Sequence, residues 1–84
     1  MITTQSWTIL RRQQVQAATG YSRSTIYAHM ALGLWPRPVN LGARARGWPS
    51  YEVSTMLSAR VAGKSEEQIR QIVRQLEQAR EVAL

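Results

Sequence analysis

The residues of this chain that are best suited to chemistry are its arginines and the short polar side chains near them. Ten of the eleven basic residues are arginine, whose planar guanidinium pairs with phosphate oxygens and with guanine edges through two hydrogen bonds. One group of candidates falls within seven residues: Arg23, Ser24, Thr25 and His29. This combination is typical of a helix that contacts the bases and phosphates of double-stranded DNA.

More arginines flank this group on both sides. Arg37, Arg44 and Arg46 follow in a stretch rich in proline and glycine. Such side chains can lie along the phosphate backbone or enter a minor groove, where the negative potential attracts arginine. The alternative is that they are solvated loop residues. Arg11 and Arg12 stand where a first helix is expected to begin, and they are further candidates for phosphate contacts.

The composition argues against several other kinds of site. The chain has no cysteine, one histidine and five carboxylates, so neither a tetrahedral metal site nor a nucleophile with its base is visible. We therefore expect no enzyme activity, no cofactor, no metal and no small-molecule ligand. No apolar run approaches the roughly 20 residues that cross a bilayer, and the N-terminus lacks the pattern of a signal peptide. These features favour a cytoplasmic protein without a membrane partner.

The charge of the chain is unevenly distributed. The net charge is +6 over 84 residues, yet residues 1–64 contain eight basic residues and a single acid, Glu52. Residues 65–84 contain three arginines and four glutamates. A strongly basic body favours a nucleic-acid partner. The sequence thus predicts a DNA-binding domain over residues 1–64 and a C-terminal amphipathic helix over residues 65–84.

Local signals place the first candidates on a helix-turn-helix. Residues 12–19 are expected to form a helix with Val15 and Ala18 facing inward. Gly20 can adopt the left-handed conformation that ends this helix, because it has no side chain to clash. Ser22 can then cap a second helix through its hydroxyl oxygen. A short turn between the two helices follows.

The second helix is expected to have one apolar face and one small polar face. On a wheel of 3.6 residues per turn, Ile26, Tyr27 and Met30 share the face toward the core. The opposite face can approach another surface closely because its side chains are short: Ser24, Thr25, Ala28 and His29. A DNA major groove is the surface that this face suits.

A hairpin that carries arginines should come next. The second helix is expected to end near Gly33, and the two prolines that follow cannot continue it. Residues 39–41 and 45–48 are expected to form strands around a turn at 42–44. Alternate positions of a strand share a side, which would place Arg44 and Arg46 on the face of Trp48. Trp35, Trp48 and Tyr27 are expected in the core or the linker rather than stacked on bases.

Two more helices are expected after the hairpin. The third begins at Pro49-Ser50, and the residues expected to face inward are Val53, Met56, Leu57 and Val61. Ser65 and Gln68 have the spacing of a capping box, which begins a final helix. That helix carries an apolar seam in steps of three and four, formed by Ile69, Ile72, Leu76, Ala79 and Ala83. The seam can form a homodimer, dock a partner or fold back on the domain.

These motifs resemble the AlpA-like family of small prophage-type regulators. The similarity covers roughly Ile9 to Val61 and is carried by residues 18–27, residues 33–39, Leu41-Gly42, Trp48 and Glu52-Val53. The resemblance implies a winged helix-turn-helix, related to MerR-type and excisionase domains. The chain departs from the family pattern at Ala28, where a basic residue is common, and at Arg46, where an apolar residue is common.

The predicted fold class is therefore mainly α with a small β-hairpin, a winged helix-turn-helix followed by a C-terminal helix. The predicted function is a sequence-specific regulator of transcription that binds double-stranded DNA. An alternative of the same class is an excisionase-like factor that bends the DNA of an integrated element. An alternative of another class is an interaction module that docks a recombinase or a repressor through the C-terminal helix.

Overall fold

A computed structural model describes residues 6–82 of the chain as four helices beside a small antiparallel sheet. The elements occur in the order β1 (Ile9–Leu10), α1 (Arg12–Thr19), α2 (Arg23–Ala31), β2 (Val39–Gly42), β3 (Ala45–Pro49), α3 (Ser50–Val61) and α4 (Glu66–Val82). The predicted fold class is confirmed: the chain is mainly helical, with a helix-turn-helix, a hairpin that serves as the wing, and a C-terminal helix.

The turn between α1 and α2 is made by local hydrogen bonds. Gly20 has a φ of +77° and donates its N–H to the carbonyl of Gln16 at 2.8 Å, which ends α1 in the left-handed conformation that glycine tolerates. Ser22 caps α2, since its Oγ accepts the N–H of Thr25 at 3.1 Å. Both features agree with the sequence-based prediction because they depend only on neighbouring residues.

The wing is the hairpin of β2 and β3, with residues 43 and 44 in its turn. Val39 pairs with Gly47 and Asn40 with Arg46, and a register shift follows between Asn40 and Gly42. Arg44 has a φ of 62°, an uncommon conformation for a residue with a side chain. The two predicted strands are therefore present, but Arg44 belongs to the turn rather than to the strand.

A third strand, β1, completes the sheet in the order β1-β3-β2. The sequence predicted only an extended lead-in at these residues. Leu10 pairs with Trp48 and Ile9 with Pro49, and the close approach requires Gly47. A Cβ at that position would lie 2.8 Å from the carbonyl oxygen of Leu10 and would clash with Ile9. The lead-in is thus tied to the wing by backbone pairing.

The hydrophobic core draws on every helix and on the sheet. Its buried members are Val15, Ile26, Leu34, Trp35, Trp48, Val53, Met56, Ala59, Ile69 and Val73. Trp48 donates its indole N–H to the carbonyl of Pro36 at 2.8 Å, which satisfies the polar atom of a buried ring. The prediction that Trp35 and Trp48 belong to the core is confirmed.

Two helices are rotated relative to the predicted orientation. Ala18 of α1 is exposed, and the half-buried side of α1 runs through Arg12, Gln16 and Thr19 beside Val15. Val61 of α3 is 89% exposed, whereas the buried stripe of α3 is Glu52, Val53, Met56 and Ala59. The inward orientations of Ala18 and Val61 were wrong because apolar spacing alone did not include the polar residues that turn toward the core.

Helix α4 packs on the body of the protein. Ser65 and Gln68 form the predicted capping box, with bonds of 3.0 and 3.2 Å. Ile69 is fully buried and Val73 is 5% exposed, both within the common core. Of the predicted seam, Ile72 and Leu76 are partly buried against this core, Ala79 is exposed, and Ala83 lies outside the described residues. The division of the chain at residue 64 stays a prediction.

Candidate nucleic-acid interface

A concave, positively charged surface lies where α1, α2 and the wing meet. One part is a groove of about 490 Å³, lined by Arg12, Tyr27, Met30, Ala31, Arg37, Pro38, Asn40, Arg46 and Trp48. A second part of about 590 Å³ is lined by Arg11, Arg12, Gln13, Tyr27, Arg44 and Arg46. The two parts share Arg12, Tyr27 and Arg46, so we treat them as one surface, here called the basic groove.

The basic groove brings together arginines that are distant in the sequence. Its lining includes Arg11, Arg12, Arg37, Arg44 and Arg46, and none of its lining residues carries a carboxylate. Charges of one sign that line a concave surface reinforce one another and attract a polyanion. The structure therefore places five of the predicted DNA-binding or phosphate-contacting arginines on a single surface.

The wing supplies two of these arginines in different ways. Arg46, in β3, and the buried Trp48 both line the groove, so these alternate residues share a side of the strand as predicted. Arg46 is itself exposed. Arg44 reaches the same surface from the turn, without the strand alternation. Among residues 6–82, the guanidinium of Arg46 forms no ion pair, and most residues of the wing around it are exposed.

The exposed stripe of α2 differs from the predicted one. Its exposed residues are Arg23, Ser24, Tyr27, Ala28 and Ala31, whereas Thr25, His29 and Met30 are partly buried and Ile26 is buried. The stripe predicted from the wheel, centred on residues 24, 25, 28 and 29, is thus displaced by one residue, or about 100° around the helix. Arg23 and Ser24 remain on the outward side, and Thr25 and His29 turn toward the body.

Tyr27 is the residue of this surface that the sequence-based reasoning misplaced. It was predicted in the core or linker, but its side chain is 47% exposed and lines both parts of the basic groove. The guanidinium carbon of Arg23 lies 5.7 Å from the centroid of its ring, which is within the range of a cation–π contact. The spacing of Arg23 and Tyr27, four residues on a helix, was the signal that could have predicted this pair.

Ser24 and Thr25 stand at the first turn of α2 and take part in its cap. The Oγ of Ser22 lies 3.2 Å from that of Ser24 and donates to the Oγ1 of Thr25 at 2.9 Å. Neither residue is among those that line the basic groove. Their contribution to DNA binding stays a prediction, and Ser24 is the more accessible of the two.

The side chain of His29, in α2, is partly buried and is not among the residues that line the basic groove. Its ring packs edge-on against Tyr21, with centroids 5.0 Å apart. Within residues 6–82, its buried Nδ1 has no hydrogen-bond partner. Burial lowers the pKa of His29 below the usual 6.5, the nearby charge of Arg60 lowers it further, and Glu66 acts in the opposite direction. A role for His29 in DNA binding stays a prediction.

Comparison with known proteins bears on the part of the chain that forms this surface. The family model described as "Prophage CP4-57 regulatory protein (AlpA)" matches residues 8–61, which run from β1 to the end of α3. The chain belongs to the AlpA family of prophage regulatory proteins. The predicted resemblance is therefore confirmed, and the basic groove lies on elements that the family match includes.

A phage protein is similar to part of this chain. The "Uncharacterized protein ORF88" of Enterobacteria phage P4 is 38% identical over 55 residues. The match covers 66% of this chain and 62% of that protein, so this chain spans less than two thirds of the relative's length. No solved structure matches the chain significantly. Helix α4 lies beyond the residues that the family model matches.

A buried ion pair joins α4 to the AlpA-family region. Glu52 of α3 is fully buried, and the guanidinium of Arg80 donates to both of its carboxylate oxygens, at 2.8 and 2.6 Å. This hydrogen bonding raises the pKa of Arg80 above its already high value, so the guanidinium is charged at every pH of interest. The sequence offered one signal for this pair: Glu52 is the single acid among residues 1–64.

Two side chains of α4, Glu77 and Arg80, contact the linker that carries Arg37, which is formed by residues 32–38 between α2 and β2. The backbone N–H of Arg37 donates to Oε2 of Glu77 at 2.8 Å. The carbonyl of Arg37 accepts a bond of 2.7 Å from Nη2 of Arg80. Sequence reasoning missed Glu52, Glu77 and Arg80 as contributors to the surface because they are separated from Arg37 by 15 to 43 residues.

Two other kinds of site find no support in the residues that the structure describes. Among residues 6–82, no group of three histidine, cysteine, aspartate or glutamate side chains is arranged to hold a metal ion. Within the same range, no helix is long and apolar enough to cross a membrane.

Proposed function

We propose that this AlpA-family chain is a sequence-specific, double-stranded DNA-binding regulator of transcription. In this proposal α2 enters a major groove, and the arginines of the basic groove contact the flanking phosphates. The observation that carries the proposal is the basic groove itself, in which five arginines from α1, the linker and the wing surround one concave surface without a carboxylate. A concave surface lined by arginines suits a polyanion such as DNA.

The outward side of α2 supports contact with base edges. Arg23 can donate two parallel hydrogen bonds to guanine, and its position in the first turn places it where recognition helices contact bases. Ser24, Ala28 and Ala31 are short and exposed, so they let the helix approach the floor of the groove. Tyr27 adds a ring that can pack on sugar or on a thymine methyl group. These five residue positions would supply the sequence dependence.

The arginines around α2 would supply the affinity that does not depend on sequence. Arg44 and Arg46 extend from the wing, and Arg11 and Arg12 stand at the start of α1. Contacts of this kind set the orientation of a protein on the duplex. The regulator would act in the cytoplasm and needs no cofactor and no catalysis. A homodimer or a recombinase-type partner, bound through the seam residues of α4 that are not fully buried, Ile72, Leu76 and Ala79, is a further part of the proposal.

The proposal is tested by selecting bound duplexes from a random pool and measuring affinity by mobility shift across a salt series. If about five phosphates are contacted, the slope of log affinity against log salt should be about −4 to −5. Arg44→Gln should weaken binding and make the slope shallower by about 0.9. The matched control is Lys64→Gln, which removes the same charge at an exposed position outside the groove.

Two outcomes would refute the proposal. A salt slope near zero on every duplex would mean that the basic groove does not bind phosphates. Equal losses for Lys64→Gln and Arg44→Gln would mean that overall charge, and not this surface, attracts DNA. The claim of sequence specificity also requires that a common sequence be selected from the pool, since a basic surface alone binds all duplexes alike.

A further inference from the structure

The linker between α2 and β2 has few backbone N–H donors around Arg37. Arg37 stands between Pro36 and Pro38, and neither proline has a backbone N–H to donate. The N–H of Arg37 is therefore the single backbone donor of this three-residue stretch. Pro36 is fully buried, whereas Arg37 is exposed and extends along the basic groove. The backbone at Arg37 sets the point from which its side chain extends.

Helix α4 holds this backbone from both sides. Glu77 accepts the N–H of Arg37 at 2.8 Å, and Arg80 donates to its carbonyl at 2.7 Å. Both polar groups of one residue are thus bound by side chains one turn apart on the same helix. A linker held only by its two prolines would still rotate about the bonds of Arg37, and these two contacts oppose that rotation.

The position of Arg80 is itself determined by the core. Its two bonds to the fully buried Glu52 place the guanidinium between α3 and the linker. Arg80 retains one donor for the carbonyl of Arg37 because a guanidinium has five N–H groups in a rigid plane. The chain of contacts runs from a buried carboxylate in α3, through α4, to an exposed arginine at the rim of the basic groove.

We propose that Glu77 and Arg80 are positioning residues for DNA binding, which hold Arg37 so that its guanidinium meets a phosphate beside the basic groove. This inference rests on the proposed DNA-binding function. It assigns to α4, which lies outside the family match, a part in the interface without any contact to DNA. The two bonds from Glu77 and Arg80 to the backbone of Arg37 are here called the clamp. Without the clamp, Arg37 should stay charged and exposed but be free to occupy many positions, so that its contact with a phosphate costs more conformational entropy.

The test is a double-mutant cycle between positions 37 and 77, with affinity and salt slope measured on the selected duplex. Arg37→Ala in the natural chain should make the slope shallower by about 0.9, the value for one phosphate contact. In the Glu77→Ala background the same Arg37→Ala change should alter the slope by less than half as much. Glu77→Gln keeps an oxygen that can accept the Arg37 N–H and should restore the effect of Arg37→Ala.

A matched control separates the clamp from simple charge. Glu81→Ala removes the same negative charge from an exposed position one turn further along α4, and Arg37→Ala should keep its full effect in that background. Arg80→Lys is a second route to the same loss, because a lysine can pair with Glu52 but lacks the planar fork in which Nη2 bonds both Glu52 and the Arg37 carbonyl. Circular dichroism checks that each variant is folded at the temperature of the assay.

The outcomes distinguish this inference from the function on which it rests. If the natural chain binds DNA and Arg37→Ala has the same effect with and without Glu77, the clamp plays no part in binding. If the natural chain binds DNA but Arg37→Ala changes nothing, Arg37 is not at the interface, and this inference alone is overturned. If the natural chain binds no duplex, the proposed function fails and the inference fails with it.

Discussion

Replacing Arg80 by methionine should destabilise the fold by about 3 to 5 kcal/mol, the range for removing one partner of a buried ion pair. The physical reason is that Glu52 has no exposed surface and loses the two hydrogen bonds that Arg80 donates to it. A carboxylate left without a partner in the core has lost its hydration without compensation. The Arg80 side chain is 22% exposed, so some water can reach the site, which favours the lower half of this range.

A second substitution separates the cost of leaving the Glu52 carboxylate unpaired from the cost of lost packing at position 80. Glu52→Leu combined with Arg80→Met replaces the pair by apolar side chains, and such replacements are often neutral or stabilising by about 1 to 4 kcal/mol. The double variant should therefore be more stable than Arg80→Met alone. A surface pair offers the contrast: Arg74 and Glu67 are 3.9 Å apart and well exposed, and Arg74→Met should cost no more than about 1 kcal/mol.

The assay is urea unfolding followed by tryptophan fluorescence, since Trp35 and Trp48 are both buried. The free energy of unfolding and the slope with urea should be compared for each variant, because an unchanged slope shows that stability alone has altered. A cost below about 1 kcal/mol for Arg80→Met would place the pair among exposed salt bridges. A double variant no more stable than the single one would also refute the reasoning.

Three further outcomes are expected. Arg46→Val should keep or slightly raise the melting temperature, weaken binding to all duplexes alike and make the salt slope shallower by about 0.9; a lower melting temperature with an unchanged slope would make Arg46 structural. Ile69→Ala should cost about 2 to 5 kcal/mol in urea unfolding, because this side chain is fully buried; a change in oligomeric mass without that cost would assign Ile69 to a dimer seam. The lowered pKa of His29 means that the unfolded chain binds this proton first as pH falls through 6.5, so stability is fully present above that pH and declines below it. His29→Gln should flatten this decline in thermal scans between pH 7 and pH 5, and an identical decline in both proteins would exclude His29 as its source.

Much of the local structure could be predicted from the sequence because it depends on neighbouring residues. Gly20 and Ser22 define the turn of the helix-turn-helix through a left-handed φ and a side-chain cap, which need no distant partner. Ser65 and Gln68 likewise begin α4 by exchanging bonds with each other's backbone. The five arginines that line the groove could be chosen as candidates from their charge, and Arg44 and Arg46 also from their place in the predicted hairpin.

The tertiary structure decided which way each helix faces. A helical wheel determines the angles between side chains but not the rotation of the helix against its neighbours, so Tyr27 and not His29 came to lie in the basic groove. Glu52 could not be assigned to the core from its type, because burial of a carboxylate becomes tolerable only when Arg80, 28 residues away, reaches it. The clamp on Arg37 depends on the same long-range contact. Local hydrogen bonds therefore set where the elements begin and end, while packing between distant elements set which side chains the surface presents.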